Sequence, residues 1–187
     1  MNRSVKLVCV FCGSRDGARP VYREEAVRLG SLLASSGFGL VYGGASVGLM
    51  GAVADAALAG GAPVVGVLPA VLKGREIAHA GLSELCYVGS MHERKALMVE
   101  RADAFVALPG GLGTLDEFVE VLTWAQLGIH EKPCVLVNVQ GYFDGLLGFL
   151  DHAVEEGMVG AEHRATIRVV ESAEGAVGVL ESALRPV

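Results

Sequence analysis

A glycine-rich run at residues 109–117, PGGLGTLDE, carries the residue types in this chain that are best suited to chemistry. Glycines let a bound group approach the backbone, and the start of a helix offers unpaired N–H groups and the positive end of a dipole. Such a place favours an anion, typically a phosphate. Glu117, one turn further on, is expected to be ionised there, which suits a general base or a partner for a developing positive charge.

The sequence around this run places it between a strand and a helix. Residues 103–108 form a short apolar run typical of a buried strand, and apolar residues recur from Leu115 to Leu122 at the spacing of one helix face. Residues 114–117 also have the T-x-x-E form of a capping box, in which Thr114 and Glu117 would only satisfy amides at the helix start. The sequence leaves both interpretations open.

Two adjacent cations, Arg94 and Lys95, follow a second capping box at residues 90–93. Positive charges near the start of a helix interact unfavourably with its dipole, so the placement of these two cations needs an explanation. We interpret them as facing the same cavity as the glycine loop, where Arg94 would make a planar, bidentate contact with an anion and Lys95 would act as a point charge. A pair of solvated surface cations is the alternative.

Two further loops with small residues follow predicted strands. Gly13 and Ser14 come directly after the first strand, and Gly43 and Gly44 come directly after the second. Because the carboxyl ends of parallel strands meet at one edge of a sheet, we predict that these residues add contacts to a phosphate or ribose group.

The second of these loops also matches the G-x-S-x-G nucleophile elbow of serine hydrolases, with Ser46 as the nucleophile. His152, with Asp144 or Asp151, would complete a triad. The elbow should follow a central strand that comes after several others, whereas here it follows the second strand, so this is the minor alternative. A dinucleotide-binding loop is disfavoured because residues 111–116 lack the third glycine of G-x-G-x-x-G.

Apolar, β-branched runs alternate with helical patterns along the chain. Strands are predicted at residues 5–11, 38–42, 63–68, 85–88, 104–108, 134–139 and 167–170. Helices are predicted at residues 21–34, 47–58, 92–101, 115–127, 143–156 and 173–184. This alternation predicts a doubly wound, mainly parallel, Rossmann-like α/β sheet in a single domain, residues 1–187. Residues 69–84 are predicted to form a loop over the site.

Composition and charge exclude several functional classes. With 52% hydrophobic and 19% charged residues the chain is expected to be compact and rich in core, and a net charge of −6 argues against a nucleic-acid partner. Because no apolar segment is long enough to span a bilayer, we expect a cytoplasmic protein with no membrane partner. Cys9 and Cys12 should point to opposite faces of a strand, so we predict reduced thiols and no metal site.

Two motifs at a characteristic separation resemble the LONELY GUY family. Residues 109–117 have the form P-G-G-x-G-T-x-x-E, and the M-H-E-R-K run at residues 91–95 stands upstream at the expected distance. The Y-G-G run at residues 42–44 and the G-L-M-G run at residues 48–51 are similar as well. The family consists of cytokinin riboside 5′-monophosphate phosphoribohydrolases, many of which were long labelled lysine decarboxylases. The resemblance covers nearly the whole chain.

The resemblance implies roles for individual residues. Arg94 and Glu117 match the pair that the family needs for catalysis. The matching substrate-binding positions are Glu76, Lys95, the loop from Gly111 through Leu112, Gly113 and Thr114 to Glu117, and Thr123. From their places in loops after predicted strands, we add Gly110, Gly13, Ser14, Gly43 and Gly44 as candidate substrate contacts. A lysine decarboxylase would need a Schiff-base lysine, and Lys95 is already accounted for as an anion contact.

The resemblance also implies a reaction and an assembly. The expected reaction is hydrolysis of the N-glycosidic bond of an N6-modified AMP to the free base and ribose 5-phosphate, without a cofactor, in a homodimer. A non-catalytic nucleotide sensor or carrier on the same fold is the alternative from a different class, and a serine hydrolase that uses Ser46 is a third.

Overall fold

The central sheet has seven strands, all parallel, in the order β4-β3-β2-β1-β5-β6-β7. The computed structural model describes residues 5–72 and 78–184, so Glu76, a predicted substrate contact, lies outside the described residues. The strands are β1 (Leu7–Phe11), β2 (Gly39–Tyr42), β3 (Val64–Pro69), β4 (Glu84–Val88), β5 (Ala104–Ala107), β6 (Cys134–Val137) and β7 (Ile167–Val170). The predicted fold class is confirmed.

Helices follow the strands as the alternating pattern requires. They are α1 (Pro20–Ser35), α2 (Gly48–Ala59), α3 (Met91–Arg101), α4 (Leu112–Gln126), α5 (Asp144–Glu155), α6 (Ala161–Arg164) and α7 (Ala173–Leu184). The prediction missed α6, because four residues are too few to show a helical period. Helix α4 begins at Leu112, three residues before the predicted start, which changes the roles of the residues in its first turn. None of the helices described is long and apolar enough to cross a bilayer.

The helices form one layer on each face of the sheet. Helices α1, α2 and α7 bury one apolar cluster, and α3, α4 and α5 bury the other. Cys12 belongs to the first cluster and Cys9 to the second, so the two thiols point to opposite faces as predicted. The inner strands are buried on both sides, which explains why they consist of continuous apolar runs.

The strand order reverses on either side of β1, and this reversal positions the site. Strand β1 pairs with β2 on one side and with β5 on the other, so the loops after β1 and β5 meet at the carboxyl edge. The Gly13 amide donates to the Pro109 carbonyl across this junction, with an N–O distance of 3.0 Å. A crevice at such a switch point is the usual ligand position in open α/β sheets.

Candidate active site

A cavity of about 200 Å³ opens at this switch point. It is bounded by the loops after β1, β2 and β5, by α3 and by the first turns of α4. Its lining residues are Val10, Cys12, Gly13, Ser14, Gly43, Met50, Arg94, Gly111, Leu112, Gly113, Thr114 and Glu117. The structure therefore brings together most of the residues that the sequence predicted for the site.

The glycine loop presents the open N-terminus of α4 to this cavity. Gly111 is the N-cap residue and has no side chain to cap the helix, and the Leu115 amide is the first to bond back, 3.1 Å from the Gly111 carbonyl. The N–H groups of residues 112–114 have no intrahelical acceptor, and they coincide with the positive end of the dipole. This geometry suits a bound phosphate.

Gly110 packs too tightly for any side chain. A Cβ there would overlap the Thr114 hydroxyl and lie 2.8 Å from the Gly13 amide nitrogen. The Gly110 carbonyl accepts a hydrogen bond of 2.7 Å from Tyr142, in the loop after β6. The loop is thus held from both sides, and only glycine fits between them.

Thr114 and Glu117 do not form the capping box that the sequence left open. Thr114 is the third residue of α4 and is buried against Gly110, so it does not occupy the N-cap position. At the other predicted box, the Ser90 hydroxyl accepts from the Glu93 amide at 3.2 Å, and the Glu93 carboxylate accepts from the Gly89 amide at 2.8 Å, one residue before the N-cap. The capping-box interpretation of residues 114–117 is therefore wrong, and Glu117 lines the cavity.

Arg94 is buried and held by backbone carbonyls. Its Nε donates to the Val67 carbonyl at 3.1 Å and its Nη2 donates to the Gly43 carbonyl at 3.2 Å. A Cβ on Gly43 would overlap Nη2, so this glycine makes the space that the guanidinium occupies. The Nε–Nη2 edge is therefore not available for an anion, and a bidentate contact has to use the Nη1–Nη2 end.

The Arg94 guanidinium and the Glu117 carboxylate face one another across the cavity. Nη2 and Oε1 are 3.9 Å apart, and the two side chains are only 7% and 12% exposed. At an effective dielectric of about 20 the attraction is about 4 kcal/mol, against which the cost of burying both charges must be set. The pair places a fixed negative charge beside a fixed positive one, next to the N-terminal end of α4.

Cys12 also lines the cavity, but as a neutral thiol. Burial, and then the negative charge of Glu117, raise the pKa of Cys12 well above its usual range. A thiol that stays protonated is a poor nucleophile.

Lys95 does not line the cavity. Its Nζ lies 3.1 Å from Oδ2 of Asp116 and 3.2 Å from Oε1 of Glu120, both on α4. Burial alone would lower the pKa of Lys95, but the hydrogen bonds to these carboxylates outweigh it and raise the pKa. In this structure the ammonium group bridges two helices.

Thr123 and Gly44 also lie away from the cavity lining. Thr123 is exposed on the fourth turn of α4 and donates to the Val119 carbonyl at 2.8 Å. Gly44 is buried with a φ of 81°, and its carbonyl accepts from the His79 amide at 3.0 Å. A substrate contact by either residue remains a prediction.

The serine-hydrolase triad does not assemble. Ser46 follows the carboxyl end of β2, whereas His152 lies in the last turn of α5, which runs back toward the amino edge of the sheet. The Asp151 carboxylate bonds Arg164 at 2.7 Å, and Asp144 accepts from Asn138. Across residues 5–72 and 78–184 there is also no group of three or more His, Cys, Asp or Glu side chains placed to hold a metal ion.

Three contributors to the site were missed from sequence. Met50 and Tyr142 reach it from distant segments, and the Val67 carbonyl reaches it from the end of β3. Met50 lies in the G-L-M-G run at residues 48–51, but the sequence analysis assigned its side chain no contact with the site. Tyr142 follows a strand adjacent to β5, which is the one signal that could have identified it.

Solved structures share this architecture. The molybdenum cofactor binding protein from Rippkaea orientalis superposes with a TM-score of 0.74 at 24% identity, covering 98% of this chain and 100% of that one. The Moco carrier protein from Chlamydomonas reinhardtii gives a TM-score of 0.73 at 22% identity, covering 96% and 98%. At this level of identity the likeness shows the fold alone.

Proteins related in sequence are much more similar to this chain than these solved structures are. Residues 50–180 match the family described as possible lysine decarboxylase. A protein named probable cytokinin riboside 5′-monophosphate phosphoribohydrolase from Oryza sativa subsp. japonica is 57% identical over 157 residues, 84% of this chain and 69% of that protein. A cytokinin riboside 5′-monophosphate phosphoribohydrolase from Arabidopsis thaliana is 50% identical over 176 residues, 94% and 83% of the two chains. The chain therefore belongs to the LONELY GUY family, of which these plant phosphoribohydrolases are members.

Proposed function

We propose that this protein hydrolyses the N-glycosidic bond of N6-modified adenosine 5′-monophosphates, releasing the free base and ribose 5-phosphate. The observation that carries the proposal is the buried Arg94–Glu117 pair, 3.9 Å apart, beside the open N-terminus of α4. The identity of about one half to plant phosphoribohydrolases over most of the chain supports the same activity.

The geometry of α4 orients such a substrate. The 5′-phosphate binds the N–H groups of residues 112–114, as anions do at helix N-termini. Side chains on a helix lean toward its N-terminus, so the Glu117 carboxylate projects back over the first turn. The ribose attached to the phosphate then lies against Glu117, with Arg94 on the far side of the carboxylate.

Glu117 acts on the charge that develops during bond cleavage. As the bond to the base breaks, positive charge builds on the ribose ring, as in other glycoside hydrolyses. The carboxylate stabilises that charge and accepts a proton from the water that attacks the anomeric carbon. The departing base takes up a proton from solvent and Glu117 then returns its proton to solvent, so that the net reaction consumes one water. Arg94 holds the carboxylate in place, because its own position is set by the carbonyls of Gly43 and Val67.

The size of the cavity indicates which part of the substrate it encloses. About 200 Å³ is less than the roughly 300–1,000 Å³ of typical ligand pockets, so the enclosed space accepts the ribose phosphate and not the whole nucleotide. The base extends toward the mouth, which places an N6 substituent outside the enclosed part of the site. This arrangement is compatible with substituents of different size.

The lysines do not support a decarboxylase. A lysine that forms a Schiff base needs a lowered pKa and a free amine. Instead, the pKa of Lys95 is raised by its carboxylate partners. Of the other lysines within the described ranges, Lys6 pairs with Asp103 at 3.0 Å and Lys132 donates to the Val99 carbonyl at 2.7 Å.

A base-release assay on the purified protein tests the proposal. N6-isopentenyl-AMP and AMP are incubated with the wild type, and the free base and ribose 5-phosphate are separated by chromatography. Glu117→Gln should retain nucleotide binding but lose about a hundredfold or more in kcat, because the amide neither takes a proton nor carries charge. Glu156→Gln, an exposed change beyond the end of α5, is the matched control and should match the wild type.

Two outcomes would contradict the enzyme proposal. Normal turnover by Glu117→Gln would remove this carboxylate from the chemistry. Binding of AMP without any base release by the wild type would favour a nucleotide carrier or sensor.

The assembly and compartment extend the proposal. Large apolar side chains are exposed on and after α4, among them Leu127 at 66% and Ile129 at 62%, and a homodimer would cover them. Light scattering of the purified protein tests this, and a monomer at micromolar concentration would contradict it. Four free cysteines, three of them buried, support a reducing compartment such as the cytoplasm. The partner is a small nucleotide, and the acidic net charge gives no support to nucleic-acid binding.

A further inference from the structure

A second set of charges joins α3 to α4 directly beside the catalytic pair. Lys95 follows Arg94 on α3, and Asp116 precedes Glu117 on α4. The Lys95 ammonium lies within 3.3 Å of both oxygens of Asp116 and 3.2 Å from Glu120. Two neighbouring residues on one helix thus pair with neighbouring residues on the other.

These ion pairs tie together helices that otherwise rest on the sheet. Helix α3 packs chiefly on β1 and β3, and α4 packs on β5 and β1. Their buried apolar side chains, such as Met98 and Phe118, point into the shared core below. The charges of Lys95, Asp116 and Glu120 bridge the helices above that core, next to the cavity.

The Lys95 side chain is largely buried within this bridge. Its side chain is only 13% exposed, against 50% for Lys6, another ion-paired lysine. Oε2 of Glu120 is buried and has no hydrogen-bond partner among the described residues, so the negative charge of Glu120 depends on the Lys95 ammonium for its balance. Moving the ammonium group to a phosphate would leave two carboxylates side by side without a cation, which is unfavourable in a partly buried place.

We propose that Lys95 is a positioning residue, which through Asp116 and Glu120 sets the separation of α3 and α4 and so holds Arg94 and Glu117 in register. The proposal rests on the phosphoribohydrolase function and differs from direct substrate binding by Lys95. Because the position of a catalytic group is worth large factors in rate, its effect falls on kcat. Substrate affinity is set by the N-terminus of α4 and is largely unaffected.

The test is a kinetic comparison of Lys95→Met with the wild type on N6-isopentenyl-AMP. We expect kcat to fall about 10- to 100-fold, while KM and the inhibition constant of ribose 5-phosphate change by less than about threefold. Lys95→Arg, which can still bridge two carboxylates, should recover most of the rate. Lys6→Met removes an exposed ion pair at the far edge of β1 and is the matched control.

A double-mutant cycle separates the bridge from a phosphate contact. Glu120→Gln should lower kcat in the wild type but add little in the Lys95→Met background, because both changes break the same bridge. A rise of about tenfold or more in KM and in the ribose 5-phosphate inhibition constant, with kcat unchanged, would show a direct phosphate contact and overturn the proposal. No kinetic change in Lys95→Met would overturn it too.

Folding and function controls keep the outcomes distinct. Thermal unfolding of each variant shows whether a lost rate reflects unfolded protein, and kcat is measured only well below the melting temperature. The wild type and Glu117→Gln are run alongside. A wild type without turnover means that the proposed function has failed, whereas a wild type with turnover and an unaffected Lys95→Met means that the bridge has failed.

Discussion

Substituting Gly43 with alanine tests how the position of Arg94 is controlled. A Cβ on Gly43 would overlap Nη2 of Arg94 and approach its Cζ to 3.2 Å. The backbone has no positive φ there that would resist an alanine. The guanidinium must move away by more than about 1 Å to restore van der Waals contact, and it loses its bond to the Gly43 carbonyl.

The expected size follows from that displacement. A misplacement of about 1 Å of a catalytic group costs about a hundredfold in rate, or about 2.7 kcal/mol of barrier. Overpacking a buried position costs about 1–3 kcal/mol of folding free energy, and a chain of this length loses about 2–4 °C in melting temperature for each kcal/mol. Gly43→Ala should therefore fold, melt several degrees lower and turn over about a hundredfold more slowly.

The matched control is Gly39→Ala. Gly39 begins β2 at the opposite edge of the sheet, and a Cβ there would lie 2.9 Å from the Pro63 carbonyl oxygen, so it also overpacks a buried position. We expect a similar loss of melting temperature with kcat unchanged in the base-release assay. If Gly43→Ala keeps kcat within about threefold of the wild type, the reasoning that Gly43 sets the place of Arg94 is refuted.

Two further predictions concern the support of the site and the effect of pH. Tyr142→Phe removes the hydrogen bond to Gly110, so we expect a stability loss of about 1 kcal/mol in thermal unfolding and a KM raised by a few-fold as the glycine loop loosens. His130 donates from Nε2 to the Val121 carbonyl and accepts from the Lys132 amide at Nδ1, and its pKa is lowered, chiefly by burial. Because the folded state favours the neutral His130 ring, the contribution of this ring to folding stability is fully present above the usual histidine pKa of about 6.5. That contribution is lost as the pH falls toward the lowered pKa. Melting temperatures between pH 7 and pH 5 should fall less steeply in His130→Gln than in the wild type, and parallel curves would contradict this.

Much of the site follows from local pattern because it is built at strand ends. The glycine loop, Arg94 and Glu117 each follow a predicted strand, and parallel strands bring such positions to one edge. The order of the strands was not needed to predict that these residues converge. In the structure, residues of the glycine loop, Arg94 and Glu117 line one cavity, whereas Lys95 does not.

Other features depended on contacts that the sequence does not encode locally. The start of α4 is an example. Leu112 and Gly113 do not continue the apolar periodicity of the helix. The helix nevertheless begins at Leu112, where Gly111 and the loop after β1 permit it. Because of this shift of three residues, Thr114 lies within the helix and not at a capping position, and Glu117 lines the cavity. A capping box can therefore be assigned from sequence only when the first residue of the helix is known, and hydrophobic periodicity locates that residue only loosely.

The sequence alone determined the fold class, the edge of the sheet that carries the candidate site and the position of residues 109–117 at a strand-to-helix junction, because these depend on periodicity and on the geometry of parallel strands. Only the tertiary structure decided how each charge is used. Arg94 is held by one carbonyl of β3 and one of the loop after β2, whereas Lys95, the next residue, contacts α4. Adjacent residues of one type received different roles because neighbours distant in sequence determine which partners each side chain meets.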